Sequence, residues 1–104
     1  MGKKQINLED IKVVYFIGIG GIGMSAIARF MNKRGIQVAG YDKTITTLTK
    51  TLESEGMQIH YKEDIEALPA TVDLVVYTPA VPKNHIELEY FQQGTRPVMK
   101  RAEV

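Results

Sequence analysis

Short apolar runs along the chain alternate with stretches in which apolar residues recur every three or four positions. This change of period predicts strands and helices in turn, and hence a parallel sheet covered on both faces. The first strand runs from about Lys12 to Gly18 and is continuously apolar, as a central strand buried on both sides must be. Met24, Ile27, Ala28 and Met31 form an inward stripe on a helix from Met24 to Arg34, closed by Lys33, Arg34 and a left-handed Gly35. Ile36–Tyr41 reads as the second strand. A threonine-rich helix follows, with Leu48, Leu52 and Ile45 facing inward, and stops at Gly56. Gln58–Tyr61 makes a short third strand, Ile65–Leu68 one helical turn, and Val72–Tyr77 a strong fourth strand. Asn84 caps a helix from about His85 to Gln92, ended by Gly94, and Pro97-Val98-Met99 forms an edge strand, where proline is tolerated. The sum is a single Rossmann-like domain over residues 1–104. It is a doubly wound five-stranded parallel sheet in order 3-2-1-4-5 with helices on both faces. No repeat, low-complexity tract or linker interrupts it.

In such a sheet, ligands lie at the carboxyl ends of the strands, where the strand order reverses. Gly18-Ile19-Gly20-Gly21-Ile22-Gly23-Met24-Ser25 follows the first strand and opens the first helix. Gly18, Gly20 and Gly23 satisfy G-x-G-x-x-G, and the strand–loop–helix setting gives that spacing a mechanism. Glycines let the backbone turn sharply and approach a ligand, and the free N–H groups of a helix start attract an anion. The segment is therefore a candidate diphosphate cradle, or else a turn that packs helix on sheet. Three other segments converge on the same crevice: Asp42, His60 with Tyr61, and Thr78-Pro79-Ala80-Val81-Pro82, a loop stiffened by its prolines. Asp42 suits the diol of a ribose, as in NAD-binding domains, and would repel a 2′-phosphate; it equally suits the cap of the threonine-rich helix. His60 offers a polar edge to a ligand or serves the strand end structurally. The Ser25 hydroxyl either adds to the anion site or bonds the preceding turn, and no base stands by to make it a nucleophile. Lys43 is a phosphate partner or a solvated charge, while Glu63, Asp64 and Glu66 read as a solvated face.

Composition narrows the classes. The 13 Lys and Arg against 12 Asp and Glu leave a formal charge of +1, which argues for neither nucleic acid nor an anionic membrane as partner. The Lys3-Lys4 pair is too short for a targeting signal. No apolar run approaches the ~20 residues that cross a bilayer. The chain has no cysteine, so it carries no disulfide, thiolate metal site or cysteine nucleophile. That fits a reducing cytoplasm, the expected compartment, and is also compatible with export. No catalytic carboxylate pair, Ser/His/Asp arrangement or metal-ligand cluster stands out.

The wording of the glycine loop is more specific than its spacing. Phe16-Ile-Gly-Ile-Gly-Gly-Ile-Gly-Met-Ser25 resembles the opening signature of the Mur ligase family, and within it of the enzymes that join L-alanine to UDP-N-acetylmuramate in peptidoglycan synthesis. Gly40-Tyr41-Asp42 is similar to that group's Gly-Ser-Asp, with Thr46, Thr49 and Leu52 in register after it. His60, Val76–Pro82 and Met99-Lys100-Arg101-Ala102-Glu103 also find counterparts. The resemblance implies that Gly20, Gly21, Ile22, Gly23 and Met24 offer backbone N–H groups to the diphosphate of UDP-N-acetylmuramate, that Asp42 and His60 face the uridine, and that Thr78–Val81 wall the pocket. It also implies a three-domain enzyme that uses ATP and Mg²⁺ to phosphorylate the muramyl carboxylate before the L-alanine amine attacks. The phosphate loop of that central domain has no counterpart here. This domain is accordingly expected to be an amino-terminal piece that binds without catalysing and holds no cofactor itself. Tyr41 in place of the small serine, and Lys62–Asp64 after the histidine, depart from the group's pattern. The competing expectation is the NAD-binding domain of a dehydrogenase, which the fold and Asp42 alone would favour.

Overall fold

The computed structural model describes residues 8–94 and 97–100. Lys3, Lys4 and the Arg101–Glu103 part of the family-like segment lie outside the described residues. Five strands form an all-parallel sheet: β1 (Val13–Ile17), β2 (Gln37–Tyr41), β3 (Gln58–His60), β4 (Leu74–Tyr77) and β5 (Val98–Lys100), in the order β3-β2-β1-β4-β5. Three helices, α1 (Ile22–Lys33), α2 (Thr47–Ser54) and α3 (Ile86–Gln92), and the 3₁₀ turns Leu8–Asp10 and Ile65–Ala67 complete it. The expected topology is the observed one. The first turn, Leu8–Asp10, has no sequence signal strong enough to announce it.

β1 alternates between two cores. Val14 and Phe16 pack with Met24, Ala28 and Met31 of α1 and Leu52 of α2, whereas Tyr15 and Ile17 pack with Leu88 and Phe91 of α3. Both sets are buried, which is why the strand reads as one unbroken apolar run. The helix stops follow one rule. Gly35 (φ 87°) and Gly56 (φ 104°) stand just past α1 and α2 in the left-handed region. The N–H groups of Gly35 and Ile36 bond Asn32 O and Met31 O, and those of Gly56 and Met57 bond Glu53 O and Leu52 O, the Schellman arrangement at both ends. At β5, Pro97 stands ahead of the strand and contributes only its carbonyl, which accepts the Val75 N–H.

Four expectations need correction. Ile45 does not face inward; its side chain is exposed, because α2 begins only after Thr46, whose hydroxyl and that of Thr49 cap it reciprocally. Asn84 does not cap α3: the His85 ring does, accepting the Glu87 N–H. β4 starts at Leu74, because the Asp73 carboxylate is occupied with the Lys12 and Val13 N–H groups at the foot of β1. α1 starts at Ile22, two residues early, with Gly21 as its N-cap.

Gly40 lies where β2 runs closest to the loop beyond β1. A Cβ there would stand 2.9 Å from Phe16 O and 2.8 Å from Ile19 Cδ1. The backbone oxygen cannot retreat without breaking the sheet, so Gly40→Ala is expected to cost about 2–3 kcal/mol. A lower urea midpoint with an unchanged m-value checks this; a midpoint equal to that of the wild type would refute it.

Candidate functional site

The loop between β1 and α1 is held from below before any ligand arrives. Gly18, at φ 90°, turns the chain, and an added Cβ would sit 2.5 Å from Thr78 Cγ2. The N–H groups of Gly18 and Ile19 both donate to Tyr41 O, at 2.8 and 3.0 Å. The Gly20 N–H donates to Asp42 Oδ2 at 2.7 Å, and the Gly21 N–H to Gly18 O at 3.2 Å. Ser25 N–H is the first in α1 to find an intrahelical acceptor, Gly21 O. The N–H groups of Ile22, Gly23 and Met24 precede it and end the helix unused, with no side chain capping them. Of the five backbone donors implied by the family resemblance, Gly20 and Gly21 are therefore spent inside the loop, and three remain. Met24 has its side chain in the core and Ile22 exposes nearly all of its own, so both can serve a ligand only through the backbone or by apolar contact. The Ser25 hydroxyl donates to Ile22 O at 2.9 Å, the turn-bonding role rather than the ligand-facing one.

A cavity of about 380 Å³ opens beside this helix end, at the carboxyl edge of the sheet. Gly18, Gly21, Asp42, Thr78, Ala80 and Val81 line it, so the glycine loop, the end of β2 and the loop after β4 do converge. Gly20, Gly23 and Pro79 shape those segments without lining the cavity. Lys43 and Pro82, both offered by the sequence, line it as well, and the structure adds Tyr41, Glu63 and His85. Asp42 is pinned twice, by the Gly20 N–H and by the Thr44 N–H on Oδ1, and does not cap α2. Burial, with Glu63, Glu87 and Asp42 nearby, raises the Tyr41 phenol above its ordinary value, so it meets the cavity neutral. The sequence places Glu63 on a solvated face. In the fold its Oε1 accepts the Ile86 N–H at 2.9 Å, so it straps the start of α3 to the cavity wall. His85 borders the strand ends because α3 begins at the crevice rim, and Glu63 joins it there through its bond to Ile86; no local sequence signal announces either contact.

His60 does not line this cavity. Its Nε2 lies 2.6 Å from Glu87 Oε2 and 3.0 Å from the Tyr15 hydroxyl, which in turn donates to Glu87 Oε1 at 2.7 Å. The Asp64 N–H adds a third bond to Glu87, at 2.9 Å to Oε2. Burial alone would push Glu87 up, but the bonds from His60, Tyr15 and Asp64 outweigh it and hold its carboxyl below the ordinary value. Burial and the same carboxylate push the Tyr15 hydroxyl far up, so it remains a donor. Among the described residues, no group of three or more His, Cys, Asp and Glu side chains is arranged to hold a metal ion.

A model described as "Mur ligase family, catalytic domain" matches residues 13–104. The chain belongs to the Mur ligase family. This Mur ligase chain is 48% identical over 104 residues to a UDP-N-acetylmuramate–L-alanine ligase of Christiangramia forsetii, covering 94% of this chain and 23% of that one. It is 50% identical over 99 residues to the ligase of the same name from Porphyromonas gingivalis, covering 90% and 22%. Among solved structures, the UDP-N-acetylmuramate-alanine ligase of Thermotoga maritima superposes with a TM-score of 0.80 at 32% identity, over 86% of this chain and 20% of that chain. The Mur ligase chain thus spans less than a quarter of the length of the curated relatives it matches. No helix among its described residues is long and apolar enough to cross a membrane.

Proposed function

We propose that this chain is the part of a UDP-N-acetylmuramate–L-alanine ligase that holds the UDP end of the sugar nucleotide. The observation that carries this reading is the uncapped start of α1, where the Ile22, Gly23 and Met24 N–H groups follow directly on Gly21, which lines the cavity together with Asp42, Thr78, Ala80 and Val81. Those donors and the helix dipole suit a diphosphate. Asp42 retains lone pairs for a ribose hydroxyl, and Lys43 adds a cation at the rim. His60 serves the site from behind, by holding Glu87, whose Oε2 also accepts the Asp64 N–H next to Glu63. L-Alanine, ATP and Mg²⁺ would be handled by parts of the relatives that this chain does not cover. There the muramyl carboxylate would take the γ-phosphoryl group, and the alanine amine would displace phosphate to leave an amide, ADP and phosphate. A cytoplasmic location follows from that use of ATP. The dehydrogenase reading loses its support, because its motif and fold are shared and the family is that of ligases.

A diphosphate gains roughly 1–4 kcal/mol from two charges at a helix start, so the binding of this chain alone belongs near the millimolar range. An NMR titration with UDP-N-acetylmuramate, UDP and NADH is the test. Saturable shifts at Ile22–Met24, Asp42 and Thr78–Val81 with both uridine ligands, and none with NADH, are expected. Saturation by NADH without a response to UDP would overturn the reading.

A further inference from the structure

The His85 ring, 3% exposed, has a donor with nothing to donate to. Its Nδ1 accepts the Glu87 N–H, which in the neutral ring places the proton on Nε2. Nε2 is the buried side-chain polar atom that lacks a partner among the described residues. The nearest carboxylate oxygen, Glu63 Oε2, is 3.8 Å away, beyond hydrogen-bond range. Glu63 is anchored through its other oxygen to Ile86, and the His85 ring stands edge-on to Tyr41 at 4.7 Å between centroids. The imidazole is therefore held on two sides. Both residues line the cavity beside the glycine loop. A buried donor left without an acceptor is costly, and packing alone does not account for one at a cavity wall.

We infer that His85 and Glu63 read the base of the bound nucleotide, with Nε2–H donating to uracil O4 and Glu63 Oε2 accepting the imide N3–H. The inference rests on the UDP-sugar reading above. A histidine donor beside a carboxylate acceptor is complementary to an edge that presents an acceptor beside a donor, as the O4/N3–H edge of uracil does. Cytosine has an unprotonated N3 and an amine in place of O4, so the same edge presents a donor to the histidine donor and an acceptor to the carboxylate. The Glu63 side chain is 36% exposed, so its Oε2 can be reached by the base edge while Oε1 stays on the Ile86 N–H. His60 cannot supply this donor, because its Nε2 is committed to Glu87 and Tyr15. The positions that set base specificity in this chain are then 63 and 85.

The test compares UDP, CDP and inorganic pyrophosphate by NMR titration of the 104-residue chain and its His85→Asn variant. Asparagine can still cap α3 through its side-chain oxygen but is too short to reach the base. UDP is expected to bind the wild type about tenfold more tightly than CDP, and His85→Asn to lose about tenfold for UDP while holding pyrophosphate unchanged. In the wild type, the His85 Nε2 resonance is expected to move with UDP and to stay put with pyrophosphate, a readout independent of how well the variant folds. Unchanged UDP affinity in a folded His85→Asn, or an unmoved Nε2 signal at saturation with UDP, overturns the base-reading pair and leaves the UDP-sugar reading standing. A wild-type chain that binds pyrophosphate but shows no preference for UDP overturns it likewise, and one that binds neither overturns both readings.

Discussion

Replacing Glu87 by glutamine is expected to destabilise the fold by about 3 kcal/mol at neutral pH. The side chain is fully buried, and three donors converge on its two oxygens: Tyr15 Oη, His60 Nε2 and Asp64 N. Glutamine has nearly the same shape but offers one oxygen where two are needed. Its amide nitrogen must face a donor on one side, leaving that donor buried and unpaired. The effect depends on pH in a definite direction. The folded value lies below the ordinary 4.5, so the carboxylate stabilises the native state. That contribution is complete above about pH 4.5 and is lost as the pH falls through the lower folded value. Urea unfolding from pH 7 to pH 3 should therefore show the gap between wild type and Glu87→Gln narrowing below about pH 4.5. A gap that stays constant over that range would mean that the charge on Glu87 contributes nothing.

Gly21→Asp is expected to stabilise the protein while weakening its hold on UDP. Gly21 is the N-cap of α1 at φ −67° and ψ 150°, a conformation open to any residue. A Cβ added there meets nothing closer than 3.6 Å. The aspartate carboxylate would accept the Gly23 or Met24 N–H and sit in the positive field of the helix end, for a gain of up to about 1 kcal/mol. It would thereby occupy the donors assigned to the diphosphate and set a like charge against it, weakening UDP by roughly 30-fold or more. Thermal unfolding measures the first effect and the NMR titration the second. A higher Tm with undiminished UDP affinity would place the diphosphate elsewhere.

The strands and the order of the sheet were legible because each buried run carries its own period, and because parallel crossovers leave few ways to connect them. The glycine loop was legible because Gly18 must adopt a positive φ and because an unpaired helix start follows it. What escaped was set by contacts far apart in sequence. Nothing near Glu63 says that its carboxylate will meet the Ile86 N–H, 23 residues on. Local signals place a cap at Asn84, yet the ring of His85 takes that role because Tyr41 packs against it. Likeness to a family pattern points His60 at the ligand, but Glu87, the second residue of α3, draws its nitrogen the other way. Donors and acceptors announce themselves in a sequence; their partners are chosen by the fold.

Asp42 has a consequence for anyone wishing to retarget this cavity. Its carboxylate lines the cavity and also pins the Gly20 N–H, so one side chain belongs both to the cavity wall and to the frame of the loop. A Cβ at position 20 would fall 2.7 Å from the same oxygen, which leaves the two positions no freedom to vary apart. In modular binding sites, a specificity residue can be exchanged while the scaffold stands. Here an exchange at position 42 would slacken the loop itself, so a redesign for a different ligand must rebuild the turn from Gly18 to Gly21 together with it.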